Sequence, residues 1–384
     1  MTDSIIGCVL GTAVGDSLGL PYEGLSRGRA RRMLGTPSRH RFFFTRGMIS
    51  DDTEHTCMVA QSLIESGNDV NEFARRFAKR IRWWMLAFPA GVGKATALSG
   101  MRLWLGAKLP YDPIDPEHDG TDASPQRDAT RSTKGSCGVF SAGNGPAMRA
   151  AIFGAAIDDL ELMLRFVRVS TRLTHSDPKA EYGAIVIALA AYESRTATKI
   201  DANQWLRNVV ETLGNDAEEL CTLLTHAVQS VASGESTSQF AESMNLANGI
   251  TGYTYHTVPA AIHAWLSNPE DFRIAVTTMI ECGGDADTTA AIVGGIVGCR
   301  VGCEGIPKEW IDGISDWPRS VRWMTNLAET LSSARSEREP SLPRSVKRSH
   351  RIVPRVNPLA ILVRNLAFLL IVLFHGFRRL APPY

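Results

Sequence analysis

The fold of this 384-residue chain is most constrained by the stretch from residue 281 to residue 297. Residues 281–289 read ECGGDADTT, and an apolar run rich in small residues follows from 290 to 297. Two glycines allow a sharp turn and a close approach of the backbone to its neighbours. Carboxylates are favoured near a helix N-terminus because of its free N–H groups and the helix dipole. The stretch therefore predicts a loop that enters a buried helix, with Asp285 and Asp287 near the first turn.

A second acidic stretch, residues 50–54, reads SDDTE and precedes another helical pattern. A helix N-cap explains one acid in each stretch, and Asp51 with Glu54 is compatible with a capping box. Neither explanation accounts for Asp52, whose charge lies directly beside that of Asp51. Because two helices of one chain begin with paired acids, we predict that they share one cation site.

Apolar residues recur at helical spacing along most of the chain, and no stretch shows the sustained alternation typical of a strand. These patterns predict an all-α fold. Residues 5–20 carry glycine at positions 7, 11, 15 and 19, a spacing that predicts a helix packed closely against its neighbours. Pro21 interrupts this pattern, so Glu23 lies in a loop beside a tightly packed segment. A solvated loop acid is the alternative interpretation of Glu23. The length allows one large domain or two smaller ones.

Two further loops carry candidate binding residues. Residues 143–145 read GNG, which offers exposed amides and positive φ angles suited to a phosphate or a ribose. A tight turn before the alanine-rich helix predicted over 147–157 explains them equally well. His175 lies in a polar loop at the start of another predicted helix, although a lone histidine is more often structural. The Asp- and Pro-rich stretch 108–134 predicts an exposed loop, with a cation-binding loop as the weaker alternative.

Charge and cysteine content exclude several classes of protein. The formal net charge is +1, which predicts no general attraction to nucleic acid. The seven cysteines form no CxxC pair, and Cys299 and Cys303 have helical rather than zinc-knuckle spacing. The N-terminus lacks the basic region of a signal peptide. We therefore expect a reducing, cytoplasmic setting.

Five short motifs occur in an order that resembles one known family. They are GDSLG at 15–19 followed by Tyr22-Glu23, SDDT at 50–53, GNGPAMR at 143–149, LTH at 173–175 and GGDADT at 283–288. Together they are similar to the ADP-ribosylglycohydrolases, which include the dinitrogenase reductase-activating glycohydrolases. The resemblance covers residues 1–330. It implies a compact orthogonal helical bundle that binds two magnesium ions in a cleft.

The resemblance also implies roles for individual residues. The implied metal ligands are Ser50, Asp51, Asp52, Asp285, Asp287 and Thr288. The implied catalytic residues are Glu23 and Asp52, and the implied contacts of ADP-ribose are Gly143, Asn144, Gly145, His175 and Tyr253. Oxygen ligands suit hard cations such as Mg²⁺, and they suit Mn²⁺ as well.

The function implied is hydrolysis of the glycosidic bond between ADP-ribose and a modified acceptor, most simply a protein side chain. That reaction develops oxocarbenium character on the ribose and requires proton transfer or an activated water. Arginine, serine, a nucleic-acid end and free metabolites remain open as acceptors. The alternatives are a hydrolase of a small ADP-ribosyl or nucleoside compound, a non-catalytic ADP-ribose-binding or crystallin-like protein, and a membrane-associated scaffold.

The C-terminal part of the chain differs in composition from the rest. Residues 331–356 form a basic linker in this interpretation, and residues 357–384 form a hydrophobic tail. Within the tail, residues 359–377 are just long enough to cross a bilayer if Arg364 snorkels. Arg364, His375 and Arg379 share one side of a helical wheel. We predict membrane contact by a tail with no partner in the catalytic domain, and the alternative is a tail docked on that domain or on another subunit.

Overall fold

The structure is a computed structural model that describes residues 1–113, 135–336 and 352–380. Within these ranges the predicted all-α fold is confirmed, and β-structure is limited to isolated bridges. We number the α-helices α1 to α17 in chain order. They are α1 (Thr2–Gly19), α2 (Arg27–Leu34), α3 (Asp51–Ser66), α4 (Val70–Met85), α5 (Lys94–Trp104), α6 (Ala151–Ala156), α7 (Leu160–Arg172), α8 (Pro178–Thr196), α9 (Ala202–Leu213), α10 (Glu218–Ala232), α11 (Thr237–Ser243), α12 (Thr254–Ser267), α13 (Phe272–Glu281), α14 (Ala286–Val301), α15 (Lys308–Ile311), α16 (Val321–Ser336) and α17 (Pro358–Arg379).

The centre of the fold is an antiparallel pair formed by α1 and α14. A Cβ atom added at Gly11 would lie 2.2 Å from the carbonyl oxygen of Gly294, and one added at Gly19 would lie 2.4 Å from that of Ala286. Only glycine permits such an approach of two backbones. The predicted close packing of residues 5–20 is therefore confirmed. As a result, the acidic start of α14 lies against the end of α1.

The start of α3 is held against the same helix. The Asp16 carboxylate of α1 accepts hydrogen bonds from the Ser50 N–H at 2.8 Å and from the Thr53 hydroxyl at 2.5 Å. On its other side α3 packs against α4, whose apolar stripe is buried. The members of that stripe are Phe73, Phe77, Ile81 and Trp84. Both acidic helix starts thus lie at the C-terminal end of α1.

The loop that contains Gly145 leads into a short helical segment. The helix predicted over 147–157 is found, but it begins with a 3₁₀ turn, Ala147–Arg149, before the short α6. There the buried Arg149 side chain bonds the carbonyl oxygens of Gly145 and Ser170. Two predicted segments lie partly outside the described residues. They are the loop 108–134, at residues 114–134, and the linker 331–356, at residues 337–351.

The C-terminal helix α17 packs on the preceding part of the described fold. The Arg364 guanidinium contacts the Asp316 carboxylate at 2.5 Å, and the Asn365 amide donates to the carbonyl oxygen of Ala87 at 2.8 Å. The Phe368 ring lies 4.9 Å from the ring of Phe42. The prediction that the tail has no partner in the catalytic domain is therefore wrong. The helix side that carries Arg364, His375 and Arg379 is the side that docks.

Candidate active site

The first wall of the site is the N-terminus of α3. Ser50 is its N-cap, and the Ser50 hydroxyl donates to the Asp52 carboxylate at 3.1 Å. Asp51 and Asp52 follow in the first turn, where the helix dipole favours negative charge. The capping box between Asp51 and Glu54 is not formed. Glu54 instead accepts hydrogen bonds at 2.5 Å from the Trp84 indole and from the Arg319 guanidinium.

The second wall is the N-terminus of α14. Gly283 and Gly284 have φ angles of 73° and 82°, and a Cβ atom at Gly284 would lie 2.0 Å from the carbonyl oxygen of Ile250. This crowded turn directs the chain so that Asp285 immediately precedes the helix and Asp287 lies in its first turn. The double glycine of the sequence motif is thus a geometric requirement of this loop.

The two helix starts meet. The Thr288 hydroxyl of α14 donates to the Asp52 carboxylate of α3 at 3.4 Å. The Asn144 amide donates to the Asp285 carboxylate at 2.6 Å and joins a third loop to the cluster. The structure therefore brings the six predicted metal ligands to one place. These are Ser50, Asp51, Asp52, Asp285, Asp287 and Thr288.

The cluster is electrostatically unfavourable in the absence of added positive charge. Burial raises the pKa of Asp51 and Asp52 well above its ordinary value, and the neighbouring Asp16 carboxylate raises it further. The pKa of Asp287 is also raised well above its ordinary value by burial, then by Glu23 and Asp285. Desolvation disfavours the ionised form, and each nearby carboxylate adds repulsion. A bound cation would relieve both effects.

Unsatisfied oxygen atoms point to the same conclusion. One carboxylate oxygen each of Asp16, Asp52 and Asp287 is buried and has no hydrogen-bond partner among the described residues. Leaving buried polar atoms unpaired is unfavourable. Among the described residues, no three His, Cys, Asp or Glu side chains are arranged so that they could hold a metal ion by themselves. The residues present fit a hard cation, provided that Ser50, Thr288 and water complete its coordination.

A cavity of about 750 Å³ adjoins the cluster, and Glu23 lies at its wall. This volume is typical of small-molecule sites. Glu23 follows the short 3₁₀ helix Leu20–Tyr22 and is half-buried. Burial and the Asp285 charge raise the pKa of the Glu23 carboxyl, while the Arg379 guanidinium of α17 opposes that rise. Glu23 is therefore placed to hold a proton beside the acidic cluster.

The loop with Gly143, Asn144 and Gly145 forms another part of the wall, and His175 lies beneath it. Cβ atoms added at Gly143 and Gly145 would lie 3.2 Å and 3.1 Å from the His175 ring. Burial, with a further contribution from the Arg149 charge, lowers the pKa of His175 to about 3. The imidazole is therefore neutral near pH 7, and it supports the loop from below.

Tyr253 lies next to residues that line the cavity but does not line the cavity itself. Its backbone pairs with that of Gly143, but its hydroxyl accepts a hydrogen bond from the Lys179 ammonium at 3.0 Å. Among the described residues that line the cavity, the neighbouring Thr251 and Gly252 are present and Tyr253 is not. Contact of its ring with ADP-ribose stays a prediction.

Two charged residues that support the site were absent from the predicted set. The buried Asp16 orients the start of α3, and the buried Arg149 donates to the Gly145 carbonyl at 3.1 Å and to the Thr174 hydroxyl at 2.7 Å. Burial lowers the pKa of Arg149 to about 9. Both residues belong to the quoted motifs. A single charge within an otherwise apolar or small-residue pattern is the signal that could have identified them.

The model that describes the ADP-ribosylglycohydrolase family matches residues 1–341. The chain belongs to the ADP-ribosylglycohydrolase family. Family membership supports a hydrolase that acts on ADP-ribosylated substrates. Because α17 begins at Pro358, this family member has its docked C-terminal helix outside the matched region.

Named relatives agree with this assignment. The chain is 27% identical over 344 residues to the ADP-ribosylhydrolase ARH3 of Mus musculus, with 79% of this chain and 85% of the relative covered. It is 25% identical over 325 residues to the ADP-ribosyl-[dinitrogen reductase] glycohydrolase of Rhodospirillum rubrum, with 80% and 89% covered.

A solved structure supports the fold independently. It is described as an ADP-ribosylglycohydrolase-related protein complex, and it superposes with a TM-score of 0.60 at 23% identity. The match covers 87% of this chain and 98% of the other. At this level of identity the likeness concerns the fold alone.

Proposed function

We propose that this family member is a divalent-metal-dependent hydrolase that releases ADP-ribose from a modified acceptor, with a protein side chain as the acceptor. The observation that carries the proposal is the group of unpaired, buried carboxylate oxygens of Asp16, Asp52 and Asp287 at the junction of two helix starts. Family membership supports the hydrolytic reaction, and the cavity beside this junction offers space for a substrate.

The proposed cation ligands divide between the two helices. Ser50, Asp51 and Asp52 would hold ions from α3, and Asp285, Asp287 and Thr288 would hold them from α14. We expect two Mg²⁺ ions, and Mn²⁺ would suit the same oxygens. When bound, such ions neutralise the carboxylates, bind ribose hydroxyls and polarise a water molecule.

The remaining residues have separate roles in this proposal. Glu23 is the acid/base residue, because its raised pKa keeps a proton available next to the scissile bond. Asp52 is the second catalytic carboxylate. The Gly143–Gly145 turn would contact the nucleotide part, and the neutral His175 keeps that turn in place.

One observation favours a second candidate, a hydrolase of a small ADP-ribosyl compound. Phe368 and Val372 of α17 are part of the cavity lining. An apolar wall contributed by a separate helix reduces the space available to a bulky acceptor. Comparing protein-linked and small ADP-ribosyl substrates would separate the two candidates.

The test uses the full chain, stripped of metal with EDTA and supplied with ADP-ribosylated protein or a small ADP-ribosyl compound. We expect free ADP-ribose to appear only after Mg²⁺ or Mn²⁺ is added. Asp287→Asn should abolish the release, whereas the matched control Asp201→Asn alters an exposed N-cap of α9 and should not. Metal-independent release, or equal activity of both variants, would contradict the proposal.

Thermal melting supplies a readout besides activity. A ligand that binds only the folded state raises the melting temperature. Mg²⁺ should therefore stabilise the wild type and Asp201→Asn, and it should stabilise Asp287→Asn far less.

A further inference from the structure

The helix α17 has two different sides. Its inner side is fixed by the buried Arg364 and Phe368 and by His375, whose ring bonds the Phe42 carbonyl at 2.7 Å. Its outer side exposes a continuous row of large apolar residues at helical spacing. This row comprises Leu359, Val363, Leu366, Leu370, Phe374 and Phe377. Ordinary protein surfaces expose single, scattered apolar residues, whereas this row is a contiguous apolar patch.

Two loops that touch α17 each carry a further exposed phenylalanine. The first bears Phe44 and is joined to the helix through the Phe42–Phe368 contact, and the second bears Phe88 and is joined through the bond from Asn365 to Ala87. The Phe44 and Phe88 side chains are 84% and 70% exposed. The α17 outer row together with Phe44 and Phe88 is called the outer apolar surface below.

The backbone at both phenylalanines is unusual. Phe44 has a φ angle of 54° and Phe88 has one of 52°, in a region that bulky residues rarely adopt. Strained conformations of this kind cluster at functional positions. The fold thus holds two aromatic rings outside the protein in an unfavourable conformation, where neither ring contributes to the core.

The described segments that carry the outer apolar surface have charges of one sign. Residues 36–47, 86–94 and 352–380 contain seven Lys and Arg residues besides the buried Arg364, and they contain no Asp or Glu. The near-neutral total of the chain therefore conceals a basic, aromatic-rich region. Apolar side chains surrounded by Lys and Arg are typical of segments that lie in the headgroup region of anionic bilayers.

We propose that the outer apolar surface binds the interface of an anionic lipid bilayer, with α17 lying in the membrane plane while it stays docked on the catalytic domain. A spanning arrangement would separate the buried Arg364 from Asp316, which leaves a buried charge unpaired. A second copy of the chain fits this surface less well, because symmetric pairing would bring the basic segments of both copies together. The inference goes beyond the proposed hydrolase activity and does not depend on it.

The experiment is sedimentation of the full chain with vesicles of phosphatidylcholine alone or mixed with phosphatidylglycerol. We expect binding to the mixed vesicles and weaker binding in high salt. The double variant Phe44→Asn/Phe88→Asn should bind these vesicles at least about tenfold more weakly than the wild type does. Asparagine tolerates positive φ, so this variant should melt at the wild-type temperature or higher. The control is Val210→Asn, an exposed apolar residue of α9, which should bind as the wild type does.

Three results would overturn the proposal. The first is the absence of sedimentation with phosphatidylglycerol vesicles. The second is binding that is the same in the double variant and in the wild type. The third is a dimer, seen by analytical ultracentrifugation without lipid, that the double variant abolishes, since the surface would then bind a second copy.

Discussion

The helices α1 and α17 are the two described segments that are long and apolar enough to cross a membrane, yet they occupy different places in the fold. The apolar stretch of Thr2–Tyr22, which contains α1, is 89% buried inside the protein, whereas that of α17 is 17% buried although its mean hydropathy is higher. Hydropathy therefore does not determine which of the two is in the core. The difference lies in the size and spacing of the side chains.

The α1 helix presents a glycine on every fourth residue along the side that faces α14, and this lets the two backbones touch. Backbone contact along the helix provides many dispersion contacts and leaves no room for lipid or water. Leucine, isoleucine and phenylalanine take the corresponding places in α17. Those side chains require a wide partner surface, and the rest of the described fold covers only one side of the helix.

Each helix also carries a buried charge, and both charges act on the same backbone. Asp16 of α1 accepts from the Ser50 N–H. Arg364 of α17 donates to the carbonyl oxygen of Ile49 and pairs with Asp316, whose carboxylate accepts from the Ile49 N–H at 3.0 Å. The central helix and the C-terminal helix thus hold adjacent residues at the entrance to α3. We infer that α17 supports the candidate active site as well as covering part of it.

The largest expected effect tests the buried pair of α17. Arg364→Met leaves the Asp316 carboxylate buried and unpaired, and removing one partner of a buried pair typically destabilises a protein by about 3–5 kcal/mol. Urea denaturation should measure this loss. The double variant Arg364→Met/Asp316→Asn should recover part of it. An unchanged midpoint for the single variant would mean that α17 does not hold the entrance to α3.

The second effect tests the buried charge of α1 through pH. Burial raises the pKa of Asp16 to about 6 from an ordinary value of 3.8, so the folded state holds a proton that the unfolded state has lost between these values. Stability from this group must therefore fall as pH rises through that window, by at most about 3 kcal/mol. Denaturation in EDTA at pH 4.5 and 6.5 should show this fall in wild type, and Asp16→Asn should reduce it.

The third effect compares one glycine from each helix. Gly11→Ala places a Cβ atom 2.2 Å from the Gly294 carbonyl oxygen, whereas a Cβ atom at Gly376 of α17 meets no atom within 4 Å. Overpacking of this kind typically destabilises by about 1–3 kcal/mol, while alanine for an open helical glycine stabilises by about 0.5–1 kcal/mol. Opposite shifts in melting temperature are expected. Equal shifts would contradict the claim that α1 is closely packed at its glycines and that α17 is not.

The smallest effect concerns the cavity wall. Val372→Ala shortens a side chain of α17 that lines the cavity, and Val363→Ala makes the same change on the outer side. We expect Val372→Ala to change the ratio of kcat/KM between a protein-linked and a small substrate by up to about tenfold. Gaining or losing a methylene contact in an apolar pocket changes specificity by about this much. Val363→Ala should leave that ratio unchanged, and a change in both variants would contradict a specific role for Val372.

The sequence predicts the candidate site better than it predicts the position of the tail. Asp52 and Asp287 are predictable because acids, hydroxyls and glycines at helix starts form local patterns. Asp16 is harder to assign, because its partner Ser50 is distant in sequence and its hydrogen bonds depend on helix packing. The docked side of α17 was visible on a helical wheel. Its partner was not, since nothing local to Arg364 or Asp316 specifies their pairing.

The central claim is that two acidic helix starts form one cation site, and crystals of the full chain soaked in Mn²⁺ test it most directly. Anomalous scattering should show metal between α3 and α14, within bonding distance of the unpaired oxygens of Asp52 and Asp287. Replacing Asp287 with asparagine should remove at least one peak. A map with no metal between these helices, or acids that pair only with arginine or lysine, would contradict the account.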